Sequence, residues 1–346
     1  MSLSTDHPWL RRFACLTALA TFVLIGIGGL VTSHNAGMAV PDWPNSYGYN
    51  MFLFPVSKWV GGILFEHTHR LMGSLVGFLT IILAVWLWLS EDRQWVRNLG
   101  VIALAGVILQ GILGGLRVTM MKAEVGIFHA CVAQAFLGVL VVIALVTTNF
   151  WRAAANQRIN LQKIASTKTL ALAITIVIYV QLALGATMRH QHRDLPILDF
   201  PTANGAWIPD TSAAALEKIN AWRDARGLSD VTASQIWLQM VHRFLALIIA
   251  IAVIVFAPRV WRAAPLFAAL KRLSMLWVAL VICQIALGAW TIWSNKAADV
   301  ATAHVALGAI MLSFGVSISA ICWRISQEEV GRSRPPGAPH SEPVPA

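Results

Sequence analysis

Apolar residues along this chain gather in long unbroken blocks; they do not alternate, and they do not recur on one helical stripe. Eight blocks, near 13–32, 62–89, 98–117, 125–148, 168–189, 235–257, 270–294 and 299–323, are long enough to cross a bilayer. A hydrocarbon core about 30 Å thick takes about 20 helical residues. Lipid offers the backbone no hydrogen-bond partner, so each block must satisfy its own amides as helix. The pattern predicts an all-α integral membrane protein with eight transmembrane helices. Composition strengthens it: 57% of residues are hydrophobic and 12% charged, where soluble domains carry about 25% charged residues.

The blocks repeat. "FEHTHRLMG" (Phe65–Gly73) aligns with "LQMVHRFLA" (Leu238–Ala246), and "LQGILGGL" (Leu109–Leu116) with "CQIALGAW" (Cys283–Trp290). "GIFHACVAQAFLG" (Gly126–Gly138) aligns with "ATAHVALGAIMLS" (Ala301–Ser313). The offsets are 173, 174 and 175 residues, so one gap-poor alignment holds all three. This internal repeat predicts two pseudo-symmetric four-helix bundles, a common way to build membrane bundles. The expected division is a first half over 1–149, a cytoplasmic linker over 150–167, a second half over 168–324 and a disordered cytoplasmic tail over 325–346.

The net charge of +10 raises nucleic acid as a partner, but its placement argues against that. Lys and Arg concentrate at the N-terminus, in the even-to-odd connections and in the tail, while the opposite loops are balanced. That is the positive-inside bias, and it puts both termini in the cytoplasm. With Arg11 and Arg12 before the first helix, neither a cleavable leader nor a transit peptide is read, which favours a bacterial plasma (inner) membrane. Cys15, Cys131, Cys283 and Cys322 fall in or beside apolar helices and read as small buried side chains. Two outer loops are long, about 33–61 and 190–234. The second should hold a short helix capped near Asp210, Thr211 or Ser212 and stopped by Gly227.

Chemistry concentrates on four histidines. His69, His129, His242 and His304 each lie near the outer end of an even-numbered helix, at similar depth. Even-numbered helices of one half run parallel, so His69 can face His129 and His242 can face His304. Imidazole pairs across a bundle are the usual axial ligands of a low-spin heme, whereas iron–sulfur clusters need thiolates and zinc usually wants four ligands. Arg70 and Arg243 follow their histidines directly; each either snorkels to the interface or meets a heme propionate. Glu66 stands three residues before His69, on the same helical face. A carboxylate inside a membrane helix is costly, so it suggests function over structure alone. Its repeat counterpart is Gln239, which cannot titrate. His67, opposite Met240, reads as a non-ligand. His34, His190 and His192 sit at outer loop edges, and His7 and His340 in cytoplasmic ends. Gln110, Gln284, Gly114, Gly115 and Gly288 read as packing residues, the glutamines with a hydrogen bond to heme or a ligand histidine.

Taken in order, "GGLVTSHNAG", "EHTHR", "FHA", "GATMRHQHRDLP", "MVHR" and "AHVALG" resemble the heme A synthase family over nearly the whole chain. The resemblance implies an oxidoreductase that oxidises the C8 methyl of heme O to the formyl group of heme A for terminal oxidases. It implies His242 and His304 as ligands of a cofactor heme b, His69 and His129 as ligands of the substrate heme, and Glu66 as the catalytic carboxylate. A heme O-supplying enzyme and terminal oxidase assembly are the implied partners; the electron partner is left open. Many family members carry cysteine pairs in the outer loops, and both loops here lack them, so no thiol step belongs to this protein. The competing reading is a non-catalytic diheme b-type electron-transfer cytochrome, which explains four histidines equally well but not Glu66 against Gln239.

Overall fold

The computed structural model describes residues 7–154, 161–191 and 195–333. Their ordered elements are α1 (Pro8–Ser33), α2 (Gly62–Ser90), α3 (Gln94–Met120), α4 (Ala123–Val146), a short α5 (Asn149–Ala154), α6 (Leu161–Gln191), a loop helix α7 (Ala213–Asp224), α8 (Ala233–Ala263), α9 (Ala268–Trp293) and α10 (Ala298–Ser333). Eight of these are long and apolar enough to cross a membrane. The ends are written locally. Pro8, whose missing N–H costs nothing there, starts α1, and a Thr232–Gln235 capping box starts α8.

Helices α1 to α4 close into one ring of neighbours, α1–α2–α3–α4–α1, and α6, α8, α9 and α10 into another. The rings meet through α1, α4, α6 and α10. Each has its own apolar core, built around Leu83, Phe136 and Leu140 in the first and Val253, Phe256 and Trp277 in the second. The outer surface is equally apolar: Phe78, Leu89, Ile102, Leu172, Ile248 and Ile282 all stand exposed, which is stable only against lipid. Cys131 is half-buried and Cys322 buried, as a packing role requires, but Cys15 and Cys283 are exposed on this lipid-facing surface. Both lie on faces that no neighbouring helix covers.

Several helices outrun their apolar blocks. α8 continues past residue 257 through Arg259 and Arg262, and α10 runs to Ser333. Residues 325–333 of the expected tail are therefore helical, and its remainder, with His340, lies outside the described residues. Helical residues also stand inside the expected linker, at Asn149–Ala154 and from Leu161 onward. Hydropathy marks where a helix leaves hydrocarbon, not where its backbone hydrogen bonding stops.

The outer loops carry a second resemblance between the halves. "VPDWPNSYG" (Val40–Gly48) and "ILDFPTANG" (Ile197–Gly205) make the same turn. Asp42 accepts the amides of Tyr47 and Gly48 at 2.7 and 2.8 Å; Asp199 accepts those of Asn204 and Gly205 at 2.7 and 3.0 Å. Isolated bridges Ser46–Tyr49 and Ala203–Ala206 close two-residue turns whose central pairs, Tyr47–Gly48 and Asn204–Gly205, all have positive φ. That is why glycine stands second in each pair. These segments are 157 residues apart rather than 173, because the second loop also contains α7. Ser212 caps α7, and Gly227 follows its end at φ 67°. The helix stops at Asp224, three residues before Gly227. Buried Arg223 docks it by donating to the carbonyls of Ser229 and Leu195.

Candidate functional site

His69 on α2 and His129 on α4 face each other across the first ring, their centroids 6.5 Å apart and their planes 78° from parallel. An imidazole nitrogen bonds a first-row metal at roughly 2 Å. The ring centre lies about 1 Å further back, so two rings sharing one metal stand roughly 6 Å apart. The observed spacing fits a single ion between them. In the second ring His242 on α8 and His304 on α10 lie within electrostatic reach of each other.

Each imidazole faces a glycine of the transmembrane helix that precedes its own. A Cβ added at Gly28 would stand 3.0 Å from His69 Cε1, and at Gly114 3.6 Å from His129 Cε1. At Gly185 it would stand 3.4 Å from His242 Cε1, and at Gly288 3.1 Å from His304 Cε1. Amide side chains hold the backbone behind three of the four: Gln110 donates to the carbonyl of His129, Gln181 to that of His242 and Gln284 to that of His304. Of the bonds expected for Gln110 and Gln284, these are the ones to the histidine backbone. All four Nδ1 atoms are buried without a hydrogen-bond partner. Among the described residues no three His, Cys, Asp or Glu side chains converge on one point. Two facing imidazoles per ring suit a metal that brings its own equatorial ligands, as iron in a porphyrin does.

Glu66 is buried one turn before His69, and the structure gives it specific partners. Its Oε2 accepts the Val40 amide at 2.8 Å, and its Oε1 accepts Arg70 Nη2 at 2.7 Å. Arg70 also donates to the carbonyls of Val40, Asp42 and Asn45. Gln239 does the equivalent work alone: Oε1 accepts the Ile197 amide at 2.9 Å, and Nε2 donates to the Ile197 carbonyl at 3.1 Å. Arg243 donates to the carbonyls of Asp199 and Thr202. Both arginines thus bind loop backbone, and Arg70 binds Glu66 besides. Burial opposes ionisation of Asp42 and Asp199, but donors outweigh it: the Gly48 and Tyr47 amides at Asp42, and the Thr202 hydroxyl with the Gly205 and Asn204 amides at Asp199. Both carboxyls are held below their ordinary value.

His67 is fully buried, with Ser46 Oγ 3.2 Å from its Nδ1 and the rings of Phe54 and Trp59 against it. It anchors the loop. His34 stacks on Phe65 at 4.1 Å. His190 reaches across from α6 to the first ring, where a Cβ on Gly126 would stand 2.9 Å from its Nδ1. His192 lies outside the described residues. Two further arginines stand at the sites. Arg189, beside His190, donates to Gly29 and Ala301 carbonyls and to Ser33 Oγ, joining the rings. Arg117 closes α3 at the first site. Its signal was available: it stands where the aligned second half has Thr291.

The model of the cytochrome oxidase assembly protein family matches residues 49–316. The chain belongs to that family. Within it, the chain is 26% identical to the heme A synthase of Shouchella clausii over 291 residues, covering 82% of this chain and 86% of that protein. It is 30% identical to the heme A synthase of Halalkalibacterium halodurans over 210 residues, 59% of this chain and 67% of that one. Against the heme A synthase of Shewanella oneidensis it is 24% identical over 339 residues, 92% of this chain and 97% of that one. A multi-pass membrane protein of the cytochrome oxidase assembly family is the description on which the fold and the relatives agree.

Proposed function

We propose that this protein is a heme A synthase of the bacterial plasma membrane, with both termini cytoplasmic, oxidising heme O at the first ring with a cofactor heme b at the second. The 6.5 Å separation of His69 and His129, inside a family whose relatives carry that name, is the observation that carries the reading. His69 and His129 would hold the substrate heme on the side of the ring that carries Glu66; His242 and His304 would hold heme b. When bound, heme b supplies one-electron transfer. The loop clamped by Glu66 and Arg70 covers the first site and excludes water. Glu66 accepts a proton or stabilises positive charge developing on the reacting carbon, a task closed to Gln239. Heme O then comes from a membrane enzyme that makes it, and heme A passes to terminal oxidase assembly. A diheme electron-transfer cytochrome would leave the Glu66–Gln239 difference without a purpose.

Pigments extracted from the purified full-length protein, made in cells that supply heme O, test this. Chromatography should find heme b together with heme A. Heme b alone, at two per chain, would establish the electron-transfer cytochrome instead.

A further inference from the structure

Among the arginines at the outer ends of the ring helices themselves, Arg70, Arg189 and Arg243 end on backbone carbonyls. Arg117 does not. It stands in the last turn of α3, and among the described residues no hydrogen bond from it is found. Its guanidinium threads between two glycines: a Cβ on Gly37 would overlap Nη2, and one on Gly126 would stand 3.4 Å from Nε. Glu66, His69 and His129 all lie within its electrostatic reach. Glu66 leaves it little, since both carboxylate oxygens already accept a donor. A helix-capping role would put its donors on the final carbonyls of α3, and none is there. A guanidinium held at this depth without an acceptor favours an anion brought by something else.

Among the described residues the second ring has no such unpaired cation: Arg189, within electrostatic reach of His304, is spent on the Gly29 and Ala301 carbonyls. Thr291, the aligned residue, donates to its own helix at the Leu287 carbonyl. Holding two histidines in place therefore does not require the charge; something specific to the first site does.

We infer that Arg117 is the anion anchor of the first site, binding a carboxylate of the porphyrin that His69 and His129 hold. The inference rests on reading that site as a heme site. Arg70 and Arg243, the arginines first expected to meet propionates, keep the loops folded, and Arg117 supplies the free fork. Gly37 and Gly126 are the residues that give it room, so the anchor is a joint product of α3, the first outer loop and α4.

Heme transfer from the purified full-length protein to excess apomyoglobin reads the two sites separately. His129→Ala should remove one kinetic phase and His304→Ala the other. Arg117→Gln should then speed the first-site phase roughly 10–100-fold, the size expected for a lost charge-assisted bond, and leave the second unchanged. Arg117→Lys should fall between. Gly37→Ala, which keeps the charge but displaces it, should speed the same phase. Loaded with heme dimethyl ester, whose side chains carry no charge, wild type and Arg117→Gln should release at equal rates. An unchanged first-site rate in Arg117→Gln, or wild type that releases the ester no faster than the diacid, would overturn the anchor while leaving the heme site standing. If His129→Ala removed no phase, the heme reading of the first ring would fail and the inference with it.

Discussion

The two rings meet the same architectural problem with different chemistry. Each must fasten an extended outer loop over a histidine pair, and in each the residue three before the α2 or α8 histidine grips one backbone residue, Val40 or Ile197, while the arginine after that histidine holds further loop carbonyls. In the second ring one neutral amide binds both the N–H and the C=O of Ile197. In the first, a carboxylate takes the N–H of Val40, and Arg70, itself paired to that carboxylate, takes the C=O. A neutral side chain suffices for the fastening, so the acid of the first ring is surplus to structure. Arg117 adds a second charge on the same side, again against a neutral residue.

The largest effects should come from the histidines. His242→Ala or His304→Ala should remove heme b and abolish heme A formation with the first ring still folded. His69→Ala or His129→Ala should abolish it while heme b stays. Optical spectra and extracted pigments separate the two, and full heme b content in His304→Ala would reverse the assignment of halves. Next comes Glu66→Gln, which installs in the first ring the side chain that already serves in the second. Heme A formation should fall about 10²–10⁴-fold, the usual range for a general acid or base, with loop and heme content retained. Gln239→Glu should create no second activity. Heme A at wild-type levels from Glu66→Gln, measured by chromatography, would reduce the contrast between rings to packing.

The arginines should separate the rings in stability. Arg70→Gln strands a buried carboxylate and should cost about 3–5 kcal/mol. Arg243→Gln loses two bonds to carbonyls and should cost about 1.5–3 kcal/mol. Thermal unfolding with proteolysis of the outer loops would rank them, and equal costs would mean that the Arg70–Glu66 pair adds nothing beyond the bonds to loop carbonyls. The smallest difference is expected at acid pH. Asp42 and Asp199 titrate lower folded than unfolded, so their contribution is full above the ordinary value of 3.8 and is lost as pH falls below it. Both loops should loosen together there. Loosening of one loop alone in hydrogen exchange would show that the matching turns are not matched in energy.

Much of this was legible in the chain. Eight apolar blocks gave eight helices because lipid leaves the backbone no other choice, and His69 and His129, read as able to face each other, do so across the first ring. The partners of the polar side chains were not legible. Arg70 and Arg243 follow histidines and so suggested a ligand, but what they bind is loop backbone some 25 to 44 residues away in sequence. Nothing local encodes that. The loop repeat itself was readable, since Asp-Trp-Pro and Asp-Phe-Pro each precede a glycine-closed turn; it hid because α7 shifts its offset from 173 to 157 residues. Arg117 stands where the aligned second half has Thr291, so the match between the halves does not single it out.

The glycines behind the four imidazoles bear on the entropy of ligand capture. A ring braced on a bare backbone has already surrendered most of its torsional freedom when the protein folds. Ordering a free side chain at the moment of association costs about 0.5–1.5 kcal/mol, so two braced rings spare each site a penalty of roughly 1–3 kcal/mol. Because each half pairs one tightly braced ring with one looser one, this saving is similar in both halves. Differences in how tightly the two rings retain what they hold must then arise from the charged groups around it.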